Sequence, residues 1–169
     1  MIILYIKTEE AYTWAVEKFS DMVFRIAYQQ LFHTHDAQDV VQDVFLKLLG
    51  HKDKCFQDEE HLKAWLIRVT VNQCLDCKKA LVRRITVPVE RLEYPSDPAN
   101  QELLEELYEL PPDYRIVLYL YYYEQYTIKE IAQILGKKQN TVNSRLTRGR
   151  KRLKKQMEEK NERFIQTYI

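Results

Sequence analysis

Glycine is nearly absent, standing only at positions 50, 136 and 149 of 169 residues. So few glycines, beside many Leu, Glu, Lys, Gln and Arg, argue against a strand-rich fold and for helices. No apolar run approaches the roughly 20 residues that span a bilayer, so membrane insertion is not expected. The first residues, Met1-Ile2-Ile3-Leu4-Tyr5-Ile6, are apolar, but they lack a basic start and meet Lys7 at once. That is not the pattern of a secretory signal. The 3 cysteines are therefore expected to stay reduced in a cytoplasmic protein. A nucleophile–base pair and a set of convergent carboxylates are also missing, so neither an enzyme activity nor a cofactor is expected.

Net charge is lacking too, at only +1, but that average hides a segregation. Between Lys137 and Gln156 stand nine Lys or Arg residues and no acid, whereas the stretch from Glu102 to Glu130 carries seven acids against Arg115 and Lys129. A solvated helix mixes its charges. An acid-free cationic block balanced by acidic surface elsewhere is the electrostatic footprint of an element that faces nucleic acid.

Apolar residues make up 46% of the chain, enough for a core, and their spacing is helical in two regions. Thr8 is placed to cap a first helix, with Glu9 and Glu10 near its positive end. Tyr12, Ala15, Val16, Phe19, Val23, Ile26 and Ala27 then form one buried stripe. Asp36 reads as the N-cap of a second helix whose apolar face is Val40, Val41, Val44, Phe45, Leu48 and Leu49, with Gly50 as its stop. A polar loop over 51–60 follows, holding one aromatic, Phe56. Leu62, Trp65, Leu66 and Val69 open a third helix. From Ile85 to Asn100 the periodicity fails, and Pro88, Pro95 and Pro98 mark a linker. The second region has Leu103, Leu104 and Leu107, breaks at Pro111-Pro112, and continues as a Tyr-rich helix from about Asp113 to Gln125. Thr127-Ile128-Lys129-Glu130 is a capping box, and Gly136 ends the helix that it starts. A last helix begins near Asn140 or Thr141 and runs past Met157.

Residues 127–152 have helix-turn-helix spacing. Ala132 is small where two helices must approach, and Gly136 supplies positive φ. Val142 and Leu146, one turn apart, anchor the second helix on the first. The opposite face shows Asn143, Ser144, Thr147 and Arg148, short polar groups and a long cation suited to base edges. Arg145, Arg150 and Lys151 are placed for phosphates, which position the helix without reading sequence. The competing reading is an ordinary helix pair with a basic exposed side.

Leu110-Pro111-Pro112-Asp113-Tyr114-Arg115, then 126–132 (YTIKEIA), 141–146 (TVNSRL) and Arg148-Gly149-Arg150 resemble region 4 of the extracytoplasmic-function (ECF) class of bacterial RNA polymerase sigma factors. Residues 36–45 (DAQDVVQDVF) resemble region 2.2 of that class. Residues 64–72 (AWLIRVTVN), with Asp76 and the basic run to Arg84, resemble regions 2.3 and 2.4. The resemblance implies an all-α chain of two small helical domains: a region 2 domain over 1–84, a flexible linker over 85–100 and a region 4 domain over 101–169.

It also implies partners and roles. Region 2.2 would dock on the clamp helices of the core RNA polymerase β′ subunit, through Asp36, Asp39, Gln42 and Asp43 beside Val40 and Phe45. The same domain would capture a flipped base of the minus-10 strand, with Phe56 stacking and Asn72 hydrogen-bonding. Arg68 joins that set, and Lys78, Lys79, Arg83 and Arg84 would hold the backbone. Trp65 follows the Leu62/Leu66/Val69 stripe and reads as core. Region 4 would read the minus-35 duplex of promoter DNA from Thr141 onward and dock on the β flap. An anti-sigma factor is a possible further partner, and the runner-up function is a stand-alone helix-turn-helix regulator. Three departures stand out. Lys137-Lys138-Gln139-Asn140 replaces the usual turn, with Asn140 able to take the left-handed conformation. Asn143 replaces a common Lys or Arg and should alter base preference. Gly149 stands where Ala is usual, at a cost of about 1 kcal/mol of helix stability.

Other groups carry less. Cys74 and Cys77 fall on one side of the third helix with no second pair for a zinc site. His51, Cys55 and His61 would meet a metal only if their loop folded back. His33 and His35 read as loop residues, and Tyr119 to Tyr123 as packing and interface surface.

Overall fold

The computed structural model describes residues 4–51, 55–81, 107 and 109–168. Arg83, Arg84, Leu103, Leu104 and the linker over 85–100 lie outside the described residues. The chain divides into two compact units, Met1–Leu92 and Glu93–Ile169.

In the first unit α1 (Glu9–Leu31), α2 (Thr34–Gly50) and α3 (Glu59–Leu81) pack pairwise around one core. The Thr8 hydroxyl accepts from Ala11 N at 3.2 Å, capping α1 as its sequence predicts. The stripe Ala15, Phe19, Val23, Ile26 and Ala27 is buried, facing Val40, Val44, Phe45 and Leu48 of α2 and Leu62, Leu66 and Ile67 of α3. The α1–α2 corner needs Phe32 at φ 55. Its N–H donates to Tyr28 O at 2.8 Å, and its ring meets the Tyr28 ring edge-on at 6.4 Å, which offsets the left-handed backbone.

Asp36 does not cap α2. The helix begins three residues earlier than that cap implies, at Thr34, and His33 is the N-cap, its Nδ1 accepting from Asp36 N at 3.3 Å. A neutral imidazole nitrogen offers the same lone pair as a carboxylate oxygen. Asp36 sits in the first turn, where its charge suits the helix dipole. Gly50 is the last helical residue, and His51 follows as the C-cap.

The polar loop before α3 also contains structure that periodicity does not reveal. Cys55–Phe56 (β2) pairs antiparallel with Leu4–Tyr5 (β1), Leu4 opposite Phe56. Asp58 Oδ1 then accepts from His61 N at 2.8 Å and starts α3.

The second unit holds α4 (Pro112–Leu118), a π-helical turn (Tyr119–Tyr123), α5 (Ile128–Leu135) and α6 (Gln139–Tyr168). Pro112 opens α4, where its missing N–H costs nothing. The expected Tyr-rich helix widens after Leu118. Glu124 N donates to Tyr119 O at 3.2 Å, and Tyr126 N donates to Leu120 O at 3.0 Å. Tyr119 is buried, stacks on Tyr123 at 5.0 Å, and donates to Glu124 Oε1 at 2.8 Å. Arg115 is buried as well, its Nη2 donating to Leu110 O at 2.7 Å.

Candidate nucleic-acid interface

Both halves of the capping box on α5 are formed. Glu130 N donates to the Thr127 hydroxyl, and Thr127 N donates to Glu130 Oε2 at 2.8 Å. Hydrogen bonds from the Thr127 hydroxyl and then its backbone hold the Glu130 carboxyl below the usual carboxylate range. At the other end Gly136 takes φ 61, and Lys137 N donates to Ala132 O at 2.9 Å, closing the helix. Gly136 alone makes this turn left-handed. Asn140 is not left-handed, because it already lies inside α6.

α6 packs on α5 and α4. Val142 and Leu146 are fully buried, as the anchoring role requires. Gly149 continues that inner face. A Cβ there would stand 3.0 Å from Leu118 Cδ1 and 3.4 Å from Tyr114 Cβ. Glycine at this position permits a close helix approach, a reason that the propensity cost alone does not contain.

With this side inward, Asn143, Ser144, Thr147, Arg148 and Lys151 are exposed and Thr141 is half-buried. The remaining cations are not uniformly aimed outward. Arg145 Nη2 donates to Asp113 Oδ2 at 2.6 Å. Arg150 Nε donates to the Tyr122 hydroxyl at 2.6 Å, its guanidinium lying 5.1 Å from the Tyr121 ring and 5.3 Å from that of Tyr122. Arg152 lies 5.1 Å over the Tyr114 ring. Arg150, expected at a phosphate, is thus engaged by the π-helical turn.

In the first unit Arg68, Asn72 and Lys79 are exposed on α3, and Trp65 is half-buried. Positions 65, 68, 72 and 79 follow helical spacing, so they share one stripe. Phe56 does not join it: at 2% exposure it is core, edge-on to Trp65 at 5.8 Å and to His61 at 5.6 Å. Strand pairing with Leu4 turns its ring inward. The aromatic rim is made instead by Trp65 and His51, 5.7 Å apart. Lys78 leaves the stripe and donates to Gln30 Oε1 of α1 at 3.4 Å.

On α2 the expected polymerase contacts do not all face outward. Asp39 and Gln42 are exposed. Val40 at 0% and Phe45 at 4% are core residues, because they face α1 and α3, and no partner can touch them in this state. Asp43 accepts from Gln73 Nε2 at 2.6 Å, and Lys47 donates to Gln73 Oε1, bracing α2 on α3. Sequence reasoning missed Leu46, exposed by 61%, and placed Leu49 on the apolar face with Leu48, whereas it is 38% exposed on the other side of the helix. The signal was present, since 39, 42, 46 and 49 repeat at helical spacing on the side opposite 40, 44 and 48.

Among the described residues no group of three or more His, Cys, Asp or Glu stands close enough to hold a metal. Burial pushes the Cys74 thiol up to about 12. Burial, then the charges of Asp43, Asp36, Asp76 and Asp39, raises that of Cys77. Among the described residues no helix is long and apolar enough to cross a membrane.

Comparison with known proteins accounts for both units. Residues 15–84 match the Sigma-70 region 2 family, and residues 100–153 match Sigma-70, region 4. The chain is 31% identical to the RNA polymerase sigma-E factor of Streptomyces coelicolor over 145 residues, covering 81% of this chain and 80% of that one. It is 25% identical to the ECF RNA polymerase sigma factor SigW of Bacillus subtilis over 169 residues, covering 88% and 90%. With the ECF RNA polymerase sigma factor SigE of Mycolicibacterium smegmatis it shares 30% identity over 152 residues, 82% of this chain, and spans 58% of that relative's length. The fold is shared with the sigma factor RpoE of Bartonella quintana, solved with the anti-sigma factor NepR, at TM-score 0.71, 22% identity and 88% and 98% coverage. It is shared also with CnrH, solved with the cytosolic domain of CnrY, at TM-score 0.62, 23% identity and 90% coverage of both chains. A region 2 match followed by a region 4 match, together with 30% identity over most of the chain to an ECF sigma factor, makes this chain a member of the ECF class of RNA polymerase sigma factors.

Proposed function

We propose that this chain binds core RNA polymerase in the cytoplasm and directs promoter-specific initiation, the domain over 101–169 reading the minus-35 duplex and that over 1–84 gripping polymerase and the opened minus-10 strand. The observation that carries the reading is the outer face of α6. Asn143, Ser144, Thr147, Arg148 and Lys151 are exposed along one helix, in a block of nine cations without an acid. A helix offering short polar groups and arginine, with no acid of its own over 137–156, suits the major groove, where base edges carry a distinct donor and acceptor code.

For the minus-10 strand, the stripe of Trp65, Arg68, Asn72 and Lys79 on α3 supplies a ring, an amide and cations in line, the chemistry that an unpaired strand needs. Trp65 with His51 takes the stacking role first read onto Phe56. For polymerase, the exposed stripe of Asp39, Gln42, Leu46 and Leu49 on α2 offers apolar surface beside acids. Exposed leucines repeated on one face are what a protein partner covers. The same face would serve an anti-sigma factor in competition, as a partner of that kind accompanies the solved sigma factor RpoE of this fold. The polymerase β flap remains the proposed contact of the second domain.

Reconstituted transcription tests the proposal. The chain added to core polymerase should allow initiation at discrete sites on genomic templates, and Leu46→Asp should abolish core binding while leaving duplex binding intact. A stand-alone regulator would bind specific DNA yet never confer initiation on core enzyme. That outcome would overturn the sigma mechanism for this chain.

A further inference from the structure

Asp113 and Tyr114 are consecutive residues in the first turn of α4, and each holds one arginine of α6. Asp113 Oδ2 accepts from Arg145 Nη2 at 2.6 Å, and the Tyr114 ring lies 5.1 Å beneath the Arg152 guanidinium. Arg145, Arg148 and Arg152 fall at i, i+3 and i+7 on one flank of α6. They border an open groove of about 620 Å³ between α4 and α6.

In the first turn of α4 the Asp113 charge suits the helix dipole, but that does not call for a place in the groove, and the charge of a DNA partner argues against one. The Asp113 side chain is 65% exposed and that of Arg145 22%, and exposed ion pairs contribute little to folding. Beside a polyanion a carboxylate repels what three arginines attract. What it supplies is order. A long arginine loses rotamer freedom when it grips a phosphate, and one already held in place has lost it on folding. The Asp113 contact uses one of the five N–H donors of Arg145. Tyr114 holds Arg152 by its ring face and consumes no donor. Seven residues of helix separate the two arginines by roughly 10 Å, so they address different phosphates.

We infer that Asp113 and Tyr114 are positioning residues that set Arg145 and Arg152 as two anchors for the DNA backbone beside the groove that α6 reads. This rests on the assignment of α6 to duplex DNA. Arg152, which base-edge reasoning passes over, becomes a phosphate contact, and an acidic residue becomes a contributor to DNA affinity.

The sign of one measurement decides it. Phosphate contacts are sequence-independent, so the full chain can be titrated against a random-sequence duplex over a salt series. Asp113→Ala should weaken binding about 3- to 10-fold and flatten the slope of log K against log salt by about 0.9, the loss of one phosphate contact. In an Arg145→Ala background the same change should no longer weaken binding and should tighten it slightly, because only the repulsion of the carboxylate is left to remove. Tyr114→Leu should weaken binding similarly, and Tyr114→Phe, which keeps the ring, should restore it. Thermal melting and core polymerase binding should stay at wild-type values in Asp113→Ala. If Asp113 is only an acid near DNA, its removal tightens binding; tighter or unchanged binding overturns the inference while leaving the DNA assignment standing. A wild-type chain that binds no duplex at low salt overturns that assignment, and this inference with it.

Discussion

Arg150 and Tyr122, 28 residues apart, are joined by a hydrogen bond of 2.6 Å from the guanidinium Nε to the phenol oxygen, with the Tyr121 ring 5.1 Å from the same guanidinium. The pair ties α6 to the π-helical turn. Arg150→Ala should therefore cost the second unit about 1–2 kcal/mol, the sum of a modest hydrogen bond and a partly exposed cation–π contact. Chemical denaturation of the variant reads this directly. Unchanged stability together with weakened duplex binding would return Arg150 to the phosphate contacts that its position in the sequence suggested.

Thr127→Ala removes the hydroxyl that bonds both Glu130 N and its carboxylate, and should cost about 1 kcal/mol. The pH dependence has a definite sign. Because the folded carboxyl of Glu130 is held low by Thr127, the unfolded chain takes up its proton first as pH falls. The contribution is full above the ordinary glutamate range and is lost as pH drops through the lower folded value. Melting profiles of wild type and Glu130→Gln should differ at neutral pH and converge in acid. Curves that stay parallel throughout would refute it.

Gly149→Ala sets two effects against each other. Helix propensity favours alanine by about 1 kcal/mol. The new Cβ would stand 3.0 Å from Leu118 Cδ1, a side chain only 1% exposed with little room to yield, and overpacking of this kind costs about 1–3 kcal/mol. Packing should win, lowering Tm by several degrees. A stabilised variant would show that α4 gives way.

The three thiols should separate by reactivity. Cys55 is exposed, whereas burial keeps the Cys74 thiol protonated near neutrality, and burial with four nearby carboxylates does the same for Cys77. The thiolate is the nucleophile. Iodoacetamide at neutral pH should label Cys55 first, and mass spectrometry of the native protein should find the other two nearly unmodified. Equal labelling of Cys77 would contradict the electrostatic account.

Arg148 is exposed on the outward face of α6. Arg148→Ala should cost on the order of 1–3 kcal/mol at one minus-35 base pair and relax selectivity there. Binding selection with randomised duplexes would reveal it. An affinity loss shared evenly by all sequences would make Arg148 a backbone contact.

The parts of the site legible in sequence are those fixed by short-range physics. Thr8, Thr127, Glu130 and Gly136 act within a single turn of chain, so their roles follow from neighbours three or four residues away. Val142 and Leu146 declare themselves by period. Phe56 misleads because its burial depends on pairing with Leu4, 52 positions earlier, through a two-residue strand too short to carry an alternating pattern. Val40 and Phe45 belong to a matching motif, but motif membership does not say which members face inward.

By itself, then, the chain's sequence determined the caps at Thr8 and Thr127 and the stop at Gly136, which residues anchor the helix-turn-helix, and that one terminal helix is cationic, since capping, periodicity and charge are local properties. Tertiary structure alone decided where the arginines of α6 go: Arg145 to Asp113, 32 residues away, Arg150 to Tyr122, and Arg152 to Tyr114. A long side chain's direction is set by the partner that packing brings within reach, and that partner is not encoded in the spacing of the helix that bears it.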